Sequence, residues 1–342
     1  MSVKHERPVF AAPAVLALAH PNIALVKYWG KRDVDLNLPA VGSLSITLDR
    51  LWAKTRVAFD PDLGQDRIWL NGRQETAANR RIGAFLDIVR RQAGVDWAAW
   101  VESRNNFPTA AGLASSAAGF AALALAASTA SGLNLEADAL SALARRGSGS
   151  AARSIFGGFV EWAHGECPDG SDSLAHPLLG PGQWPLRVLV AITSTLVKAV
   201  GSTEGMSRSA ATSPCQAAWI SHQEADLAVA RAAIEARDFE ALAEVSEHSC
   251  LKMHALAMSA RPGLLYWNGA TLEAMHAIRR LRADGVPVFF TVDAGPQLKA
   301  VCLPDAAAAV AACLAAVPGV LEVIECGLGG GARLIPDAEF TA

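Results

Sequence analysis

The sequence predicts an α+β protein of two domains, and three observations carry that expectation. At 342 residues and 51% hydrophobic composition, the chain exceeds one average domain and can fill two sizeable cores. Strand-like and helix-like segments are mixed in an order that indicates α+β, with two layers per domain. A stretch rich in Pro, Gly, Ser and Asp at 166–184 is the best candidate for an interdomain linker and divides residues 1–185 from 186–342.

Residues 15–18 and 23–28 read as an early strand and its continuation into a loop, and 45–48 with 55–59 as a strand pair. Residues 68–70 followed by Asn71-Gly72 signal a hairpin, because Asn and Gly tolerate the positive φ of a tight turn. Residues 80–92 place Ile82, Phe85, Leu86 and Val89 on one apolar helix face. A strand at 97–103 runs into a loop from Asn105 to Ala117, and helices follow at 114–128 and 135–146, the second stopped by Gly147. A strand at 154–162 contains Gly157-Gly158, where a missing Cβ permits close backbone approach.

Beyond the linker, 186–192 is strand-like, 214–257 is largely helical with 235–247 as one amphipathic piece, and 272–283 is helical. Residues 286–292 form an apolar strand and 306–317 a helix, and 320–326 with 332–335 form strands around the Gly-rich turn 327–331.

Composition excludes several classes. Net charge is -3, from 30 Lys+Arg against 33 Asp+Glu, and no basic run is interleaved with aromatics, so no nucleic-acid partner is expected. The Ala-rich runs at 117–130 and 306–317 fall short of the roughly 20 apolar residues that span a bilayer, so no membrane partner is expected either. The apolar run 9–19 imitates a secretory leader, but Pro13 interrupts it and Glu6 mixes the charge before it; an opening strand is the better account. Six cysteines lie scattered without a Cys-x-x-Cys pair, as suits reduced thiols in a cytoplasmic protein. Cys302 and Cys313 read as small core residues. Of His248, Cys250 and His254 only the last two share a helix face, so no metal is expected there.

Five segments carry candidate chemistry. In Asn105-Asn106-Phe107-Pro108-Thr109-Ala110-Ala111-Gly112-Leu113-Ala114-Ser115-Ser116-Ala117, a turn and small residues deliver backbone N–H groups at a helix N-terminus, an anion site suited to phosphate. The competing reading is an ordinary helix start capped by Ser115 or Ser116. Lys27-Tyr28-Trp29-Gly30-Lys31 sets two ammonium groups beside an aromatic platform, fit for a polyanionic substrate. Gly147-Ser148-Gly149-Ser150 followed by Arg153 supplies a nest of donors and a planar fork for carboxylate or phosphate. The loop 200–206, with Ser202, follows the same logic less specifically. Finally, Asp293-Ala294-Gly295-Pro296 puts a carboxylate at the end of a buried strand, where a catalytic base or orienting group is held in place; the competing reading is an Asx-type turn residue, common at strand ends.

In this order the segments resemble the GHMP kinase superfamily and, within it, the diphosphomevalonate decarboxylases. The Pro-x-x-x-Gly-Leu-x-Ser-Ser-Ala loop is generic to the superfamily, whereas Lys27 to Lys31 and Gly147 to Ser150 with Arg153 resemble the decarboxylases in particular. The resemblance implies the two-domain α+β GHMP kinase fold, with the nucleotide loop in an N-terminal mixed α/β domain and an antiparallel C-terminal sheet with helices. It implies ATP-dependent phosphorylation of the tertiary 3-hydroxyl of mevalonate 5-diphosphate, then loss of that phosphate and of CO2 to give isopentenyl diphosphate. Implied for ATP are Asn105, Pro108, Gly112, Leu113, Ala114, Ser115 and Ser116, with Mg2+ held mainly by the ATP phosphates and by Ser115. Tyr28, Lys31 and Ser202 would secure the 5-diphosphate, Ser148 and Ser150 would donate hydrogen bonds to the substrate, and Arg153 would hold its carboxylate. The implied catalytic set is Asp293, Lys27, Arg153 and Ser148, with Asp293 accepting or orienting the hydroxyl proton and then facing positive character at C3. The implied assembly is a homodimer.

Three alternatives stay open at this point: a decarboxylase of the 5-monophosphate, a mevalonate 3-kinase that stops after phosphorylation, and a silent ATP or ligand sensor. Lys27, Arg153 and Asp293 together weigh against the second, and Asp293 against the third. The chain departs from the family pattern at Ala40-Val41-Gly42, in a segment expected to line the substrate, at Ala152, where Cys is commoner, and at Gln297, where Asn is frequent.

Overall fold

In the computed structural model, which describes residues 14–75, 80–107 and 114–340, helices cover three larger β-sheets. The chain opens with β1 (Val15–Ala19), β2 (Asn22–Val26), the short pair β3 (Lys31–Asp33) and β4 (Leu38–Pro39), then β5 (Ser43–Thr47) and β6 (Ala53–Asp60). A hairpin of β7 (Arg67–Leu70) and β8 (Arg73–Glu75) leads to α1 (Arg80–Ala93), β9 (Ala98–Asn105), α2 (Ser115–Ala130), α3 (Ala137–Gly147) and the single turn α4 (Ala151–Ser154). Next come β10 (Phe159–Trp162), β11 (Ala175–Leu179), β12 (Arg187–Ile192), α5 (Ser202–Thr212), α6 (Gln216–Ala236), α7 (Phe239–Met258) and α8 (Gly269–Ala283). A second hairpin, β13 (Val288–Val292) and β14 (Leu298–Cys302), precedes α9 (Ala307–Ala315), β15 (Glu322–Cys326) and β16 (Arg333–Leu334).

The first sheet has the order β16-β1-β6-β9-β7-β8, antiparallel except between β7 and β9. Asn71 and Gly72, at φ 49° and 78°, make the expected tight turn between Leu70 and Arg73. Ile82, Phe85, Leu86 and Val89 of α1 are buried as expected and share a core with α2 over this sheet. That core is rich in alanine: Ala117, Ala121 and Ala124 have no exposure, and side chains this small let α2 lie close to β1 and β6.

The second sheet runs β11-β10-β5-β2 and the third β13-β14-β12-β15. On β12, Val188, Val190 and Ile192 face a core shared with α6 and α7, while Leu189 and Ala191 face α8 and α9. The third sheet is therefore covered on both faces, three layers where two were expected, because its central strands are apolar on both sides. Ile23, Leu25 and Ile46 of the second sheet join Val188, Leu242 and Phe289 in that same core. This common packing holds the end of β2 close to the end of β13.

Several local expectations are corrected. The strands at 45–48 and 55–59 do not pair: β5 lies between β10 and β2, and β6 between β1 and β9, because β1 and β2 part at Pro21 and each draws its own partner. The strand expected at 154–162 is shorter. Ser154 closes α4, and Gly158, at φ 73° and with its missing Cβ 2.2 Å from the Leu179 carbonyl oxygen, turns the chain into β10. The stretch 166–184 holds β11, an edge strand that tolerates Pro177, so it is no simple linker. The piece 235–247 is broken at Arg237, φ 54°, after which the Asp238 side chain accepts the Ala241 N–H and starts α7. The strands flanking 327–331 separate as well, β15 joining β12 and β16 joining β1.

Candidate active site

The ends of β2, α4 and β13 and the starts of α2 and α5 enclose a cavity of about 650 Å³. Lys27, Tyr28, Lys31, Ala114, Ser115, Ser116, Ser148, Ser150, Arg153, Ser202 and Asp293 all line it. Asn105 is not among the lining residues; its side chain instead pairs with Asn71 at 2.9 Å beside the β7–β9 pairing. Pro108, Gly112 and Leu113 lie outside the described residues.

Helix α7 holds both strand ends. Ser249 Oγ accepts the Lys27 N–H at 3.0 Å, and Cys250 Sγ accepts the Val292 N–H at 3.2 Å. Burial lowers His254 to about 3, so the ring is neutral and its Nε2–H donates to the Val292 carbonyl at 3.1 Å. Cys250 and His254 thus have structural partners, and among the described residues no cluster could hold a metal ion.

Asp293, one residue past β13, sits between two lysines. Lys27 Nζ lies 2.6 Å from Oδ1 and Lys299 Nζ 3.1 Å from Oδ2, each lysine side chain being only 1% exposed. Lys27 Nζ also donates to the Ala24 carbonyl at 2.8 Å. Burial pushes the Asp293 carboxyl up, but Lys27 and Lys299 outweigh it and hold the group well below the usual carboxylate range. It is a persistent anion and a weak base.

Arg153 is compensated in the opposite way. It is 2% exposed, and its Nε and Nη2 donate to Asn22 Oδ1 at 3.2 and 3.0 Å, its Nε to Ser45 Oγ at 2.9 Å and its Nη1 to Ser43 Oγ at 2.5 Å. Among the described residues no carboxylate lies within ion-pairing distance. Burial lowers its pKa to about 10, a shift that Asp293 and Tyr28 oppose. A desolvated cation held only by neutral groups fits a bound carboxylate.

Two helix N-termini face the cavity. At α2 the N-cap position is taken by Ala114, in the left-handed region at φ 53° and without a side chain that could cap, so neither Ser115 nor Ser116 holds the N-cap position considered above. Ser148 Oγ donates to Ser116 Oγ at 3.2 Å and lies 3.5 Å from Ser150 Oγ. The segment 200–206, read as a loop, is instead the first turn of α5, with Gly201 as its N-cap and again no side-chain cap. Lys198 Nζ bridges this turn to the Ala294 carbonyl, donating to it and to Ser202 Oγ at 2.8 Å each. Burial lowers Lys198 to about 8.

At the other wall Lys31 donates to Asn37 Oδ1 at 2.5 Å and Arg81 Nε to the Gly147 carbonyl at 2.9 Å. Burial lowers both groups' pKa, and neither has a carboxylate partner among the described residues. The buried Tyr28 Oη has no hydrogen-bond partner among the described residues, and burial raises its pKa, so it is a neutral donor facing the cavity. Gly149 makes room for it: a Cβ there would lie 2.7 Å from Tyr28 Oη. The excess of cations without a carboxylate partner among the described residues suits a multiply charged anion.

Sequence reasoning missed Asn22, Ser43, Ser45, Arg81, Lys198 and Lys299. Arg81 lies off the apolar face of its helix, where no local signal marks it, but Lys299, one charge in the apolar strand Leu298–Cys302, was a readable signal. The departures at Ala40-Val41-Gly42 do not line the cavity. Val41 packs with Trp29 and Met206, and a Cβ on Gly42 would lie 2.8 Å from Leu227 Cδ1 of α6. Ala152 packs with Val160 and Trp162, and Gln297 accepts the Thr193 N–H at 2.6 Å.

Residues 19–175 match the family model of the diphosphomevalonate decarboxylase-like N-terminal domain, and residues 188–324 that of the mevalonate 5-diphosphate decarboxylase C-terminal domain. The diphosphomevalonate decarboxylase of Homo sapiens is 40% identical over 319 residues, covering 86% of this chain and 78% of the human protein. The crystal structure of mevalonate diphosphate decarboxylase from Staphylococcus aureus superposes with a TM-score of 0.89 at 39% identity, over 94% of this chain and 98% of that one. The structure of MDDEF in complex with MVAPP, AMPPCP and magnesium does so at 0.88 and 41% identity, over 94% and 98%.

Proposed function

The chain belongs to the diphosphomevalonate decarboxylase family, and from that premise we propose that its cavity decarboxylates mevalonate 5-diphosphate at the expense of ATP, releasing ADP, phosphate and CO2 and forming isopentenyl diphosphate. The observation that supports this most is the pairing, in one cavity, of a buried guanidinium that has no counterion among the described residues with a carboxylate held by two lysines. Arg153 takes the substrate carboxylate, and Ser148 and Ser150 donate to the substrate beside it. Tyr28, Lys31 and Ser202, joined by Arg81, Lys198 and the start of α5, hold the 5-diphosphate.

The uncapped start of α2, with Ser115 and Ser116, suits the phosphates of ATP. With no metal-binding cluster among the described residues, Mg2+ enters on those phosphates, and the Ser115 hydroxyl is the group to reach it. Bound there, the ion neutralises charge on the oxygens of the transferring group.

In the first step the 3-hydroxyl oxygen bonds to the γ-phosphorus as the bond to ADP breaks. Asp293 orients that hydroxyl; in a loose transition state a strong base is not required, which suits a carboxylate this weakly basic. Lys27 faces the transferring oxygens. In the second step the C3–O bond breaks and phosphate leaves with the electron pair, while the anionic Asp293 faces the positive character at C3. The C1–C2 bond then breaks, its pair forms the C2=C3 double bond, and CO2 departs from Arg153. We also read the protein as a cytoplasmic homodimer, on the family resemblance and the free thiols.

The test is turnover with mevalonate 5-diphosphate and with the 5-monophosphate, following ADP, phosphate and CO2. Equal release of all three, faster with the diphosphate, is expected. ADP without CO2 would overturn the proposal, and preference for the monophosphate would reassign the substrate.

A further inference from the structure

The two lysines that flank Asp293 are placed differently. Lys27 lines the cavity, whereas Lys299 does not and reaches Asp293 from behind, through Oδ2. On β14 it stands opposite Thr291 in the register with β13, and it is fully buried. A lysine so placed is out of reach of the substrate, and burying an ammonium group is costly unless an anion compensates it. Phosphoryl transfer would draw Lys27 toward the incoming oxygens and away from Oδ1. Asp293 must remain an anion facing C3 at that same moment.

We propose that Lys299 is the dedicated positioning residue of Asp293, holding Oδ2 from behind and keeping the carboxylate an anion while Lys27 turns to the transferring phosphoryl group. The inference rests on the function proposed above. The other groups around Asp293 do not replace Lys299. Arg153 is fixed by Asn22, Ser43 and Ser45 and faces the substrate carboxylate, and Lys198 is tied to Ser202 and the Ala294 carbonyl. From α7, burial keeps Cys250 a thiol and His254 neutral.

The test compares the wild type with Lys299→Met and Lys299→Arg. In ligand-free protein the Asp293 carboxyl carbon is followed by 13C NMR, assigned through its loss in Asp293→Asn. The wild-type carboxyl stays ionised to the lowest pH at which the protein remains folded. In Lys299→Met its midpoint rises by about 1–3 pH units, the effect of losing one adjacent opposite charge, and Lys299→Arg restores the low value. During turnover Lys299→Met gains an acid limb of kcat at the raised midpoint, so its deficit against the wild type widens as pH falls. A merely structural role would lower kcat by one factor at every pH. That result, or an unchanged carboxyl titration, would overturn the inference. The NMR measurement uses no substrate and reads the pair even if the wild type fails to turn over mevalonate 5-diphosphate, which would refute the function instead. If Lys299→Met does not fold, Lys299→Gln carries the same measurements.

Discussion

The surroundings of Arg153 and of Asp293 solve one problem in opposite ways. Both groups are charged and on one cavity, Arg153 buried and Asp293 half-buried, yet the guanidinium is held by an amide and two hydroxyls and the carboxylate by two ammonium groups. A charge caged by neutral dipoles keeps its appetite for a counterion. A charge clamped by two opposite charges keeps its sign whatever else binds. The first arrangement suits a partner that arrives as a carboxylate and leaves as neutral CO2, and the second suits an anion that must persist through both chemical steps.

The contrast is broken most severely by Asp293→Asn. It leaves Lys27 and Lys299 facing a neutral amide, and kcat falls by about 10³-fold while the nucleotide Kd, read by titration, stays unchanged. Denaturant unfolding should show the ligand-free protein weakened by about 3–5 kcal/mol, because two buried cations lose their anion.

Arg153→Met should lower kcat/KM by about 10²-fold, the scale of removing one partner of a buried charge pair, with no effect on nucleotide binding. Its ligand-free stability should fall by less, about 1–3 kcal/mol, since it strands only the neutral acceptors of Asn22, Ser43 and Ser45 and no charge. Equal destabilisation by the two variants would erase the distinction between cage and clamp.

A third test exploits pH. Lys198 loses its charge as pH rises through about 8, so KM for the phosphorylated substrate should rise about tenfold between pH 7 and 9 if only the charged form binds. Lys198→Met should show the higher KM throughout and no such slope. Stability moves the other way: the folded value lies below the ordinary 10.5, so between about 8 and 10.5 the unfolded chain binds more protons and this group's contribution to stability grows with pH. The smallest effect belongs to Ser43→Ala, which loosens one corner of the cage. Steady-state kinetics should show KM raised about fivefold with kcat held.

Much of the candidate site was legible because its residues are local in type. Lys27, Tyr28, Lys31, Ser148, Ser150, Arg153, Ser202 and Asp293 each stood out from their own few neighbours, and all of them meet in one cavity. The turn at Asn71-Gly72 was legible for the same reason. What escaped depends on partners distant in the chain. Nothing within β5 and β6 says that they belong to different sheets, and nothing in Asn22 or Ser43 announces that Arg153 will need an acceptor there. Lys198 gains its place only through Ser202 and the Ala294 carbonyl, the second far away in the chain.

The outer edge of β1 is filled only by β16, through Ala17 with Leu334 and Leu18 with Arg333. During synthesis that edge therefore stays open until the chain beyond residue 332 has left the ribosome. For that interval the nascent protein displays the unpaired amides of an apolar strand, Val15–Ala19, a template for strangers as well as for its own tail. Arg56 and Arg104, each with its guanidinium over the ring of Phe340, then pin the tail in place. Deleting residues 333–340 should thus be felt first as poor recovery of soluble protein.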